Sequence, residues 1–183
     1  MGHPTLRQVA RLLSVAELGS NEIKVLVDDM VDTLHEAGGV GLAAPQVNES
    51  LRLTIMEIPG GSSRYGDIPP MPLTVFVNPE IEVLGIETAG FWEGCLSIPG
   101  LRGYVERPQH VIISAMDLQG KKFRIELEGF LATVFQHEFD HLDGRLYVDH
   151  ISEPGKLIFE DMLSLQGDSD TQEPRPEGTL IDA

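Results

Sequence analysis

Apolar positions near the start of the chain recur at helical spacing. Ile23, Leu26, Val27, Met30, Val31 and Leu34 stand at i, i+3, i+4, i+7, i+8 and i+11, which predicts an amphipathic helix. Glu22 belongs to its first turn, and Gly38-Gly39 ends it. The period then changes to two: Leu51, Leu53 and Ile55 alternate with Arg52 and Thr54, as in a strand. Residues 59–72 carry Gly60-Gly61, Ser62-Ser63 and Pro69-Pro70 and read as a long loop. Short strands are expected at 73–77, 81–88 and 109–117. Beyond a Gln119-Gly120 turn, Phe123, Ile125 and Leu127 alternate with Lys122, Arg124 and Glu126, which predicts a hairpin. A second helix is expected from about Gly129 to Leu142, stopped by Gly144, and a short one over Lys156–Leu165. From Gly167 onward the chain is polar, acidic and proline-bearing, so 167–183 reads as a disordered tail. A helix, a run of strands and a helix predict a single α+β domain over 1–166, with mixed or antiparallel strands packed around the second helix.

Composition adds bounds to this outline. The 183 residues suit one domain, and 42% hydrophobic with 23% charged residues is ordinary globular composition. Apolar stretches such as Val111–Ala115 are too short to cross a bilayer, and the N-terminus lacks the layout of a signal peptide. A cytoplasmic protein without membrane contact is expected. Thirteen basic residues against 29 acidic ones give a net charge of −16, which argues against direct nucleic-acid binding. The single cysteine excludes an internal disulfide.

The second helix carries the first chemistry. His137-Glu138-Phe139-Asp140-His141 matches H-E-x-x-H, and four residues is just over one helical turn. Both imidazoles then project from one face, a spacing that suits two ligands on one divalent ion. Glu138 lies about 100° around the helix from His137, within reach of a water at such an ion. Phe130, Val134, His137 and His141 continue one stripe, so the histidines extend the core-facing side. Alone, a pattern with so few fixed positions also arises by chance. Asp140 reads equally well as a solvated helix residue or as a hydrogen-bond partner of a ligand.

A catalytic centre needs a third protein ligand and an open position. Cys95, in Glu93-Gly94-Cys95-Leu96-Ser97, is the best candidate, because a thiolate binds iron, cobalt, nickel or zinc strongly. A closed zinc finger would need a second cysteine. A further segment, Gly39-Val40-Gly41-Leu42-Ala43-Ala44-Pro45-Gln46, follows the first helix; taken alone it reads as a helix cap and turn.

Together the three segments resemble the peptide deformylase family, marked by G-x-G-L-A-A-x-Q, E-G-C-[LS]-S and H-E-x-D-H in that order. Gly39–Gln46, Glu93–Ser97 and His137–His141 fill every signature position, Asp140 included, and Gly2-His3-Pro4-Thr5-Leu6-Arg7 matches a weaker G-x-P-x-L-R feature. The resemblance spans roughly residues 2–150. It implies Cys95, His137 and His141 as metal ligands and Glu138 as general acid/base. It also implies Gln46 and the Leu96 N–H as oxyanion donors, with Gly41 and its neighbour Val40 as backbone contacts to substrate. The implied cofactor is one divalent ion, Fe(II) first, with zinc, nickel or cobalt able to substitute. The implied substrate is the N-formylmethionyl end of new polypeptides, released as formate and a free amine.

The tail departs from a basic, ribosome-docking helix. Glu160, Asp161, Asp168, Asp170, Glu173, Glu177 and Asp182 stand there against Arg175. Access to nascent chains is therefore expected by diffusion, with at most a transient ribosome contact, and loss of 167–183 is expected to leave turnover of short peptides unaltered. An H-E-x-x-H metallopeptidase of broader specificity would take its third ligand from His150 or Glu153, which leaves Cys95 unexplained.

Overall fold

The computed structural model describes residues 1–63, 66–162 and 181–182. Pro4–Arg7 forms a 3-10 turn, and α1 (Val15–Leu18) leads into α2 (Asn21–Ala37). The Ser20 side chain accepts from the Ile23 N–H at the start of α2, and Gly38 ends it at φ 70°, a conformation that favours glycine. β1 (Gly41–Ala43), a 3-10 turn over Ala44–Val47 and β2 (Leu53–Ile58) follow.

Residues 59–72, expected as loop, contain a small hairpin of β3 (Gly61–Ser63) and β4 (Gly66–Ile68), and β5 (Met71–Val83) begins within the same stretch. The separate strands expected at 73–77 and 81–88 are corrected as well. β5 runs unbroken to Val83 because a bulge between Val77 and Glu80 absorbs Asn78, at φ 49°, and Pro79. The Asn78 amide explains that conformation: it accepts from the Leu13 N–H at 2.9 Å and donates to the Leu13 carbonyl at 2.8 Å.

β6 (Thr88–Cys95) and β7 (Ile98–Pro108) form a hairpin that the sequence pattern hides. β8 (His110–Met116), β9 (Lys122–Glu128) and α3 (Gly129–Asp140) complete the expected succession, and His141–Asp143 adds a last 3-10 turn before Gly144. The expected helix over Lys156–Leu165 is corrected over 156–162, its last three positions lying outside the described residues. A 3-10 turn at Pro154–Lys156 is followed by β10 (Leu157–Phe159), which pairs with Leu101–Gly103 of β7. Most of 167–183 lies outside the described residues. Within it, β11 (Ile181–Asp182) pairs with β6.

The larger sheet has the order β1-β2-β5-β8-β9, antiparallel throughout, and the second the order β10-β7-β6-β11. Each face of the larger sheet buries one helix. Ile23, Val27, Met30 and Leu34 of α2 meet Leu53, Ile55 and Val77 on one side. On the other, Phe135 and Phe139 of α3 close around Phe76 with ring centroids 5.2 and 6.0 Å away. Phe76 is fully buried, so its replacement by alanine is expected to cost about 3–5 kcal/mol. α3 is buried continuously from Ala132 to Phe139, not along a single stripe. One side anchors it to the larger sheet; the opposite side, with His137 and His141, is left to face the second sheet.

Candidate metal centre

Cys95 closes β6, pairing with Ile98 across a tight turn through Leu96 and Ser97. A register shift between Glu93 and Cys95 displaces the strand there. A Cβ on Gly94 would lie 1.5 Å from Arg102 Nη1, so any side chain there would displace the Arg102 guanidinium. α3 brings His137 and His141 to the same place, their rings 5.4 Å apart and nearly perpendicular.

One ligand atom each from Cys95, His137 and His141 lies within 4.8 Å of the others, and all three residues are buried. Cys95 Sγ stands 3.4 Å from His141 Nε2. A tetrahedral ion with ordinary sulfur and nitrogen bonds would set that separation at about 3.6 Å. His137 donates through Nδ1 to Glu93 Oε2 at 2.7 Å, while its buried Nε2 has no hydrogen-bond partner. That orphaned nitrogen and a thiol among imidazoles make a donor set that fits a divalent ion.

The buried donors and Glu138 shift one another's ionisation. Burial would push the Cys95 thiol up, but the two imidazoles outweigh it and bring Cys95 down to about 5. Burial would likewise push His137 down, and the sulfur together with Glu93 holds it up at about 10. Glu138 shows the opposite balance: burial dominates over both histidines and raises its carboxyl to about 7. Both Glu138 oxygens are buried without a hydrogen-bond partner. Its side chain runs beneath β1, where a Cβ on Gly41 would come within 2.7 Å of Glu138 Cγ. Only glycine admits the carboxylate so close to the backbone.

Gln46 reaches the centre from the turn after β1. Its Oε1 accepts from the Ala43 N–H at 2.8 Å, which aims Nε2 toward Cys95 Sγ, 3.8 Å away, and Ser97 Oγ, 3.4 Å away. Leu96 stands beside Cys95 and is exposed, and Gly39 lies close to its side chain. Val40 is half-buried, and its carbonyl accepts from the Glu57 N–H at 2.9 Å. Cys95, His137 and His141 are thus brought together, Gln46 reaches them from the turn after β1, and Glu138 packs against Gly41, while Glu153 lies exposed and pairs with Lys156.

Three further residues were not singled out. Arg107 donates to both oxygens of Glu93, at 2.6 and 3.0 Å, and to Asp140 Oδ2 at 2.8 Å. Burial would raise Glu93, yet Arg107 and His137 keep its carboxyl below the usual range. Tyr147 stacks on His137 with centroids 6.0 Å apart, its hydroxyl donating to the Leu101 carbonyl. Glu93 opens the Glu93–Ser97 motif, its one signal in the sequence; Arg107 and Tyr147 have none. His150 contacts Asp140 Oδ2 at 2.8 Å and so serves the same buried ion network instead of acting as a third ligand.

A family model described as polypeptide deformylase matches residues 1–157. The chain is 45% identical over 163 residues to peptide deformylase 1 of Bordetella pertussis, covering 89% of this chain and 91% of that one. It is 42% identical over 151 residues to a peptide deformylase of Leptospira biflexa, covering 82% and 84% respectively. Among solved structures it resembles a Met-Ala-Ser-bound class I type b peptide deformylase from Acinetobacter baumannii, with TM-score 0.75, 42% identity and coverage of 82% and 94%. An inhibitor complex of Plasmodium falciparum peptide deformylase gives TM-score 0.70 at 35% identity, covering 83% and 86%.

Proposed function

The chain belongs to the polypeptide deformylase family, and from that premise we propose that it hydrolyses the N-formyl group of formylmethionyl polypeptides, releasing formate. One observation carries the reading at the level of residues. The donor set of Cys95, His137 and His141 sits beside a carboxylate, Glu138, whose two oxygens have no other partner. The catalytic domain is assigned to 1–166.

Cys95, His137 and His141 would hold the ion, with Fe(II) as the native metal and zinc, nickel or cobalt as substitutes. When bound, it supplies a water of lowered pKa and polarisation of the formyl carbonyl. Glu138 takes the proton from the attacking water and returns it to the departing amine; its burial raises the carboxyl, which favours holding the proton between the two transfers. Gln46 Nε2 and the Leu96 N–H stabilise the oxyanion, and loss of one such donor is expected to cost about 2.7–4 kcal/mol. Val40 and Gly41 offer backbone to an extended peptide at the open edge of β1.

No helix among the described residues is long and apolar enough to cross a membrane. A cytoplasmic site of action, on nascent chains reached by diffusion, fits this reading and the net charge of −16. No nucleic-acid contact is part of it, and any ribosome contact is transient. Incubating the ferrous or nickel form with formyl-Met-Ala-Ser and with an internal peptide tests the proposal. Free amine is expected from the first alone; cleavage of the internal peptide would favour a broader metallopeptidase.

A further inference from the structure

The last described residues of the chain stand beside the donor set. β11 pairs in parallel with β6, Ile181 opposite Glu93 and Asp182 opposite Gly94, and the next residue of β6 is Cys95. In the order β10-β7-β6-β11, removing β11 would leave β6 as the edge of its sheet. The larger sheet also ends near the centre, at β1, whose Gly41 presses on Glu138. An edge strand exposes N–H and C=O groups that capture extended chain by strand addition. β11 takes up that capacity on β6, one residue from a metal ligand.

The sequence independently marks this segment. From Gln166 to Ala183 the only apolar side chains besides Pro174 and Pro176 are Leu180, Ile181 and Ala183, set in an otherwise acidic and polar stretch. A β-branched residue, Ile181, therefore stands where the chain pairs with a strand. The described segment before the tail is fixed to the same sheet. β10 pairs with β7, and Glu160 accepts from Arg102 Nη2 at 2.6 Å, while the Arg102 guanidinium fills the space over Gly94.

We propose that Ile181–Asp182 is a reversible internal occupant of the β6 edge that competes with the peptide substrate for strand pairing beside Cys95. The inference rests on the reading that this site takes formylated peptides. The pairing advances toward Cys95 in the N-to-C direction, whereas a formyl-peptide must bring its N-terminal end to the ion. The segment therefore blocks the edge without presenting a cleavable group. Being part of the same chain, it is not diluted away. Substrate at high concentration displaces it, so the block raises KM and leaves kcat unchanged.

The test compares the full chain with a variant lacking Ile181–Ala183 and with the full-length double variant Ile181→Pro/Asp182→Pro, which removes both strand N–H donors. With formyl-Met-Ala-Ser, KM is expected to fall about threefold or more in both variants at unchanged kcat. A synthetic peptide of residues 178–183 should then raise KM of either variant competitively. Hydrogen exchange of the Glu93–Cys95 amides, measured without metal, should be about tenfold slower in the full chain than in the variants. Equal KM values among active enzymes would overturn the competition, and equal exchange rates would overturn the pairing itself. Absence of formate from all three proteins would instead refute the deformylase reading, and the exchange comparison would still decide whether the segment occupies β6.

Discussion

Glu93 Oε2 lies 2.7 Å from His137 Nδ1, so a fully buried carboxylate fixes which imidazole nitrogen faces the donor set. Arg107 in turn holds Glu93 through two hydrogen bonds. Glu93→Gln keeps an acceptor near Nδ1 but removes the charge that anchors both neighbours. Metal affinity, measured by chelator competition, is expected to weaken about 10–100-fold. Unchanged affinity would mean that α3 alone orients His137.

Metal uptake should expel a proton. At about pH 7.5 Cys95, near 5, is already thiolate, and His137, near 10, still carries its proton. A ligating imidazole must be neutral, so His137 releases about one proton per ion bound. The release should fade as pH rises through about 10, and a second proton, from Cys95, should join it below about 5. Calorimetric titration in buffers of different ionisation enthalpy reads this number directly. Zero release at pH 7.5 would contradict the thiolate–imidazolium pair.

Gly41 is expected to tolerate no side chain. An alanine Cβ would meet Glu138 Cγ and Met56 Sδ at 2.7 Å each, whereas at Gly19 it would meet nothing within 4 Å. Gly41→Ala should lose about 1–3 kcal/mol of stability. Displacement of Glu138 by about 1 Å should also reduce kcat about 100-fold. Gly19→Ala is the control, with Tm and kcat near wild type. Equal behaviour of the two variants would place Glu138 away from β1.

The acyl group is expected to be read by size. Gly41 and the Cys95–Leu96 turn come from two different sheets, and backbone from both closing on the formyl hydrogen would leave little room for a methyl group. Formyl-Met peptides should be preferred over acetyl-Met peptides by at least about tenfold, after correction for uncatalysed hydrolysis. Comparable efficiencies would indicate a broader amidase with the same metal site.

How much of this could be read from the chain depends on which signals are local. His137, Glu138 and His141 were legible because one helical turn fixes their spacing. Cys95 was legible through its chemistry, although its strand was not. β6 and β7 carry glycines where the alternation should show side chains, because those positions receive side chains from elsewhere. A Cβ on Gly90 would strike Tyr104, and one on Gly103 would strike Ile151 and Tyr147. The Lys156–Leu165 reading failed for a related reason: Leu157, Ile158 and Phe159 are as apolar as a helix face, and only pairing with β7 makes them a strand. Arg107 reaches Glu93 and Asp140 across 14 and 33 residues, a relationship that no local pattern encodes.

The central claim is that Glu138 performs proton transfer at an ion held by Cys95, His137 and His141. Formate release from formyl-Met-Ala-Ser and metal content, measured in the same samples of wild type and Glu138→Gln, test it most directly. Wild type should release one formate per free amine, while Glu138→Gln should keep its full metal content and lose about 100-fold or more in kcat. Near-wild-type formate release by fully loaded Glu138→Gln would contradict the account.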